Sequence, residues 1–155
     1  MKVVRLIITT INNLKIKVKN MSDDELEKIK MRKAEMMMSR QSLPKGVVKL
    51  HTPDEFDALV SKHPQEIILI DLSAEWCGPC KMFGPIFEKL SQDYQGEFIF
   101  AKVDVDENPM VAQKYNVTGV PTTLFIKGGE LINKLVGAVG YDSMIQIMKK
   151  LKEEY

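Results

Sequence analysis

The chain has 155 residues, 45% of them hydrophobic and 28% charged, with a net charge of +1. That length holds one domain with a sizeable core, and the composition is that of a globular protein, not of a disordered chain. Two cysteines are too few for a disulfide-dense secreted scaffold, and no apolar run reaches the roughly 18 residues needed to span a membrane.

The charge is uneven: residues 1–46 carry 11 Lys and Arg against 5 Asp and Glu, residues 47–155 carry 11 against 16. Much of the basic excess (Lys2, Arg5, Lys15, Lys17, Lys19) is sparse, with no aromatic residue among it, which reads against a nucleic-acid surface. The start, MKVVRLIITTINN, lacks a small-residue cleavage site, and Arg5 interrupts its apolar run, so it is a poor signal peptide and the protein reads as cytoplasmic. Residues 1–20 suit a short hairpin, an added leader, or a stretch upstream of a natural start at Met21; the sequence leaves these open.

Residues 22–40 read as a helix. Ser22 and Glu25 have capping-box spacing, Asp23, Asp24 and Glu25 place acids in the first turn, and Asp24–Lys28 is a favourably ordered pair. Its apolar stripe is imperfect, since Lys33 lies on the face of Leu26, Ile29, Met36 and Met37. A methionine-rich helix can also form an adaptable binding surface. SLPKG, residues 42–46, reads as a linker, making 1–46 an N-terminal extension and 47–155 the main domain.

From residue 47 strands and helices alternate. VVKL (47–50) reads as a strand, and TPDEFDALV (52–60) as a helix capped by Thr52, with Pro53 at its first position and Glu55 completing the box. EIILIDL (66–72) reads as a buried strand. A helix follows, with Phe83, Phe87, Leu90 and Tyr94 at helical spacing and Pro85 expected to kink it. EFIFAKVDV (97–105) is the next strand, and Asn108-Pro109 opens a short helix. PTTLFIKGGELINKLVG (121–137) is a hairpin turning at Gly128-Gly129, and Tyr141, Met144, Ile145, Met148 and Leu151 stripe a closing helix. The pattern predicts an α/β fold: a central mixed sheet flanked by helices on both faces, plus a helical N-terminal extension.

Cys77 and Cys80 are the only cysteines, in SAEWCGPCKMF. Zinc would need His51 and His63 as the other ligands; their spacing is wrong for a finger, and each reads as a surface histidine. The DVDEN stretch places Asp104, Asp106 and Asn108 like a calcium loop, but Pro109 stands where that loop needs Gly, and Tyr115 where it needs Glu. A structural bridge across two residues closes too small a loop to stabilise much. Redox exchange uses the neighbours. At a strand-to-helix junction Cys77 meets the helix N-terminus, which favours thiolate, while Cys80 in the first turn is expected to be the more buried, resolving thiol. Pro79 stiffens the loop between them.

IDLSAEWCGPCKMFGP (70–85), with VTGVPTTLFIKGGE (117–130) and VGA (136–138), resembles the thioredoxin family over residues 47–155. Ser73 stands where some members have Trp. The resemblance implies the thioredoxin fold and a protein-disulfide reductase, in which Cys77 attacks and Cys80 resolves. It also implies that Asp71 is a buried carboxylate handling the Cys80 proton, that Lys102 is its strand neighbour, and that Pro121 is a cis-proline. Val120 would offer backbone hydrogen bonds to an extended substrate, and Trp76, Gly78, Pro79 and Gly137 would border it. It implies no bound cofactor or metal, protein disulfides as substrates, a separate thioredoxin reductase as partner, and a monomer engaging neither nucleic acid nor membrane. From the residues alone Asp71 reads as an exposed strand-end acid and Lys102 as a surface charge; if Asp71 is buried, its pKa should rise. Gly137 reads as either a bulge or room for substrate backbone. The competing reading is a binding module whose N-terminal helix recruits a partner.

Overall fold

The computed structural model describes residues 22–155. The basic stretch 1–20, with the hairpin, leader and later start at Met21 considered for it, lies outside them. The described chain opens with helix α1 (Asp23–Gln41), where Ser22 Oγ accepts the Glu25 N–H at 3.4 Å. Its ion pair joins Glu27 to Lys30 at 3.2 Å, not Asp24 to Lys28. Helix α1 belongs to one compact unit, and Ser42–Tyr155 form another.

The second unit runs β1 (Val47–Lys49), α2 (Pro53–Lys62), β2 (Ile68–Ser73), α3 (Gly78–Asp93), β3 (Ile99–Asp104), α4 (Pro109–Lys114), β4 (Thr122–Lys127), β5 (Glu130–Val136) and α5 (Tyr141–Glu154). The five strands form one sheet in the order β1-β3-β2-β4-β5. The pairings β1·β3 and β2·β3 are parallel, β2·β4 and β4·β5 antiparallel. Every residue of the central strand β2 is buried, which is why ILIDLS reads as a nearly continuous apolar run.

Strand alternation divides the core between the two faces. Ile68, Ile70 and Leu72 of β2, with Ile99, Ala101 and Val103 of β3, pack with Phe56 of α2 and Val111 of α4. Leu69 and Phe100 point the other way, packing with Phe83, Phe87 and Leu90 of α3 and Met144, Met148 and Leu151 of α5. Asp71 and Lys102 share the parity of Leu69 and Phe100, so both stand on the face that α3 covers.

The expected cap of α2 is complete: Thr52 Oγ1 accepts the Glu55 N–H at 3.2 Å, and Glu55 accepts the Thr52 N–H at 3.3 Å. Gly128 and Gly129 turn the β4–β5 hairpin with φ of 58° and 83°, a left-handed pair that side chains resist. Two expectations need correction. His63 caps the C-terminus of α2 and is only 8% exposed, because the chain turns there toward β2. The irregularity of the last hairpin lies opposite Phe125 and Ile126, where the register steps from Asn133 to Leu131, not at Gly137. Among the described residues no helix is long and apolar enough to cross a membrane.

Candidate active site

Strand β2 ends at Ser73 and α3 begins at Gly78, so the intervening turn delivers Cys77 to the helix N-cap. Cys77 and Cys80 are joined as a disulfide, with Cα atoms 5.3 Å apart. The Cys80 N–H donates to Cys77 Sγ at 3.2 Å. Here the sulfur does the work of a capping oxygen, satisfying one of the amides a helix start leaves unpaired. A thiolate at Cys77 would accept that bond more strongly and gain from the helix dipole. Proline suits the first turn of a helix, which makes no use of the N–H it lacks, and Pro79 stands there. Pro85 lies farther along, inside the helix.

The expectation that Cys80 is the more buried thiol does not hold in this oxidised form: both cysteines are 4% exposed. One bond holds the two sulfurs under the same cover, formed with Ala74, Val105 and Val120. What distinguishes them is partnership. Cys77 Sγ lies 3.6 Å from the Val120 carbonyl oxygen, and the Val120–Pro121 peptide is cis. Gly137 follows β5 with φ of 95°, a conformation L side chains resist, and its N–H donates to the Pro121 carbonyl at 2.7 Å. A β-carbon at Gly137 would meet nothing within 4 Å, so the space beside it is open. Gly78 and Pro79 are exposed beside the disulfide.

Trp76 is 71% exposed, and its indole N–H donates to Asp106 Oδ2 at 2.8 Å. Sequence reasoning placed Trp76 beside the cysteines but assigned Asp106 nothing beyond a discounted calcium loop. The Asp104 carboxylate instead accepts the N–H groups of Asp106 and Glu107, at 2.9 and 3.4 Å, and so turns the loop that carries Asp106 to the indole. The His51 ring is also engaged, 2.9 Å from Glu107. Neither contact has a local sequence signal, because 30 and 56 residues separate the partners.

Asp71 is 1% exposed, which overturns the strand-end reading made from the residues alone. Its partner in the parallel register is Lys102, and in the antiparallel register Thr123. Neither carboxylate oxygen has a hydrogen-bond partner. Burial therefore dominates and raises the Asp71 pKa from 3.8 to about 6; the Lys102 charge opposes this and does not cancel it. Lys102 is thus a neighbour through its field and not through a direct ion pair. A buried carboxyl that changes charge near neutral pH, on the face covered by the cysteine helix, can accept or return a proton there.

These features coincide with the comparisons. The family model for thioredoxin matches residues 47–150. A thioredoxin of Chlorobaculum thiosulfatiphilum is 46% identical over 86 residues, covering 56% of this chain and 77% of that one. An H-type thioredoxin of Oryza sativa subsp. indica is 44% identical over 105 residues, covering 66% and 85%. The X-ray structure of Fasciola hepatica thioredoxin superposes with a TM-score of 0.63 at 35% identity, covering 67% of this chain and 98% of that one. A cysteine pair capping a helix at the end of a central strand, in a five-stranded mixed sheet with these relatives, makes this chain a member of the thioredoxin family of thiol–disulfide oxidoreductases.

Proposed function

We infer that the chain is a general reductase of protein disulfides, with Cys77 as the attacking thiolate and Cys80 as the resolving one. The observation that supports this assignment is the Cys80 N–H on Cys77 Sγ at the N-cap, a bond that would favour a thiolate on that sulfur once the pair is reduced. Cys77 thiolate attacks one sulfur of the substrate disulfide and forms a mixed disulfide while the other substrate sulfur leaves. Cys80, deprotonated with Asp71 as acceptor, attacks Cys77 Sγ, closes the internal disulfide and releases the second substrate thiolate. The two electrons gained by the substrate come from the two protein thiols.

In this reading Trp76, Gly78, Pro79, Val120, Pro121 and Gly137 border the substrate, and Lys102 tempers the charge of Asp71. The open space beside Gly137 and the backbone at Val120 suit an extended segment. A separate reductase returns the dithiol, and the protein works as a cytoplasmic monomer with residues 47–155 as the catalytic domain. A single cysteine pair, too few for a disulfide-dense secreted scaffold, supports the cytoplasmic setting. The test is reduction of a protein disulfide by the full chain and by Cys77→Ser. Loss of turnover in the variant is expected; unchanged turnover would overturn the assignment.

A further inference from the structure

The backbone around His51 is pinned on both sides. Just past β1, the Leu50 N–H donates to the Lys102 carbonyl at 2.9 Å. The His51 N–H donates to Glu55 Oε2 at 2.6 Å, and the same oxygen accepts the Thr52 N–H in the capping box of α2. His51 thus springs from a fixed point, although its side chain is half exposed.

From there the ring reaches a segment 56 residues on. His51 Nδ1 lies 2.9 Å from both carboxylate oxygens of Glu107. An ionised carboxylate only accepts, so Nδ1 carries the proton and donates to the pair. Glu107 follows Asp106 directly, and consecutive Cα atoms are about 3.8 Å apart, so a shift of one moves the other. Asp106 in turn accepts the indole N–H of Trp76 at 2.8 Å. An indole has a single donor, and this one belongs to a residue 71% exposed. The ring's orientation therefore follows where the loop places Asp106. Asp104 shapes that loop from within, through the N–H groups of Asp106 and Glu107. His51 ties it from outside, to the start of α2.

We propose that His51 is a positioning residue for protein substrates: by gripping Glu107 it fixes the loop from which Asp106 holds Trp76 beside the disulfide. It acts through the indole and not on the sulfurs, so it governs capture of a protein disulfide and leaves the exchange step alone. A small disulfide, which needs no border to seat it, is indifferent to His51. The idea rests on the reading of Trp76 as a border of the substrate and names the residue that keeps that border in place. Its reach is bounded, since an ion pair this exposed shifts an equilibrium by no more than about fivefold.

The experiment takes the full chain, pre-reduced and freed of reductant, and mixes it with excess insulin or excess 2-hydroxyethyl disulfide. The remaining dithiol is counted over time by alkylation and mass spectrometry. His51→Ala should lower the rate constant for insulin about threefold, within the range of an exposed pair, and leave that for 2-hydroxyethyl disulfide unchanged. Glu107→Ala should do the same, and the double variant should fall no further, because both substitutions cut one link. Trp76 is the only tryptophan, so the anisotropy of its emission reads the hold on the ring and should drop in both single variants. An unchanged insulin rate or unchanged anisotropy in His51→Ala overturns the proposal. So does equal slowing toward the small disulfide, or a double variant slowed about ninefold, the product expected of independent sites. Trp76→Ala separates this idea from the reading beneath it and should slow insulin at least as much as His51→Ala. If Trp76→Ala leaves the insulin rate unchanged, the border reading itself fails; if it slows insulin and His51→Ala does not, the positioning role alone fails.

Discussion

A carboxylate in the middle of an apolar strand costs free energy whenever it is ionised, and Asp71 has no hydrogen bond to offset that cost. Well below pH 3.8 the group is neutral in both folded and unfolded chains and contributes no penalty. As pH rises from 3.8 toward about 6 the unfolded chain loses the proton first, so native stability falls; above the folded value the penalty is complete. The gap between the two values corresponds to about 3 kcal/mol. Asp71→Asn should therefore match the parent in urea denaturation at pH 3.5 and exceed it by about 3 kcal/mol at pH 8, while protein-disulfide turnover slows. Equal stability at both pH values would show that the carboxylate is not desolvated. The sequence marked this residue only through a family likeness, because IILID alone does not say whether its last member meets solvent. Burial is decided by β3 and β4 on either side and by α3 above. The equal cover of Cys77 and Cys80 was illegible for a similar reason: the bond between them holds both sulfurs in one place.

At the scale of elements, what was legible was local. The capping box at Thr52 and Glu55, the proline at the start of α3 and the glycine pair of the hairpin each act within four residues, so their types alone announce them. Thr52→Ala should lower the stability of the domain by about 1 kcal/mol, read as a shift in urea midpoint without change in slope. A loss of a few tenths or less would mean that solvent replaces the cap. Strand order was not legible. That β1 lies at the edge beside β3, and not beside the next strand in sequence, follows from parallel pairing at long range. The extra residue in β5 was also missed, since GGELINKLV alternates well enough to be read as regular. His63, taken for a surface residue from its polar neighbours, is buried by the turn it terminates.

For the whole molecule the question is whether chemistry needs both compact units. Among the described residues the strands all belong to Ser42–Tyr155, as do the cysteines, Asp71 and the cis peptide. A chain of residues 42–155 should unfold in one cooperative transition and reduce a protein disulfide within about twofold of the full chain. If truncation abolishes turnover while Cys77→Ser in the full chain does not, the methionine-rich helix is the functional part, and the chain works by recruiting a partner. The mixed sheet with helices on both faces was legible because alternating strand and helix patterns leave few architectures. The role of α1 was not, because its apolar residues do not gather on one face and so give no direction in which a partner would lie.

The amide that caps α3 has a consequence for how the protein could report its own oxidation state. Its acceptor is a sulfur that is weakly basic in the disulfide and strongly so as a thiolate. Each catalytic cycle would then loosen and tighten the first turn of the helix, with the two electrons acting as the capping agent. Amide hydrogen exchange makes this visible: the Cys80 N–H should exchange more slowly in the dithiol form than in the disulfide, while the amides of Phe87 and Leu90, deep in α3, should not respond. Equal protection of Cys80 in both forms would mean that the cap is set by backbone geometry alone.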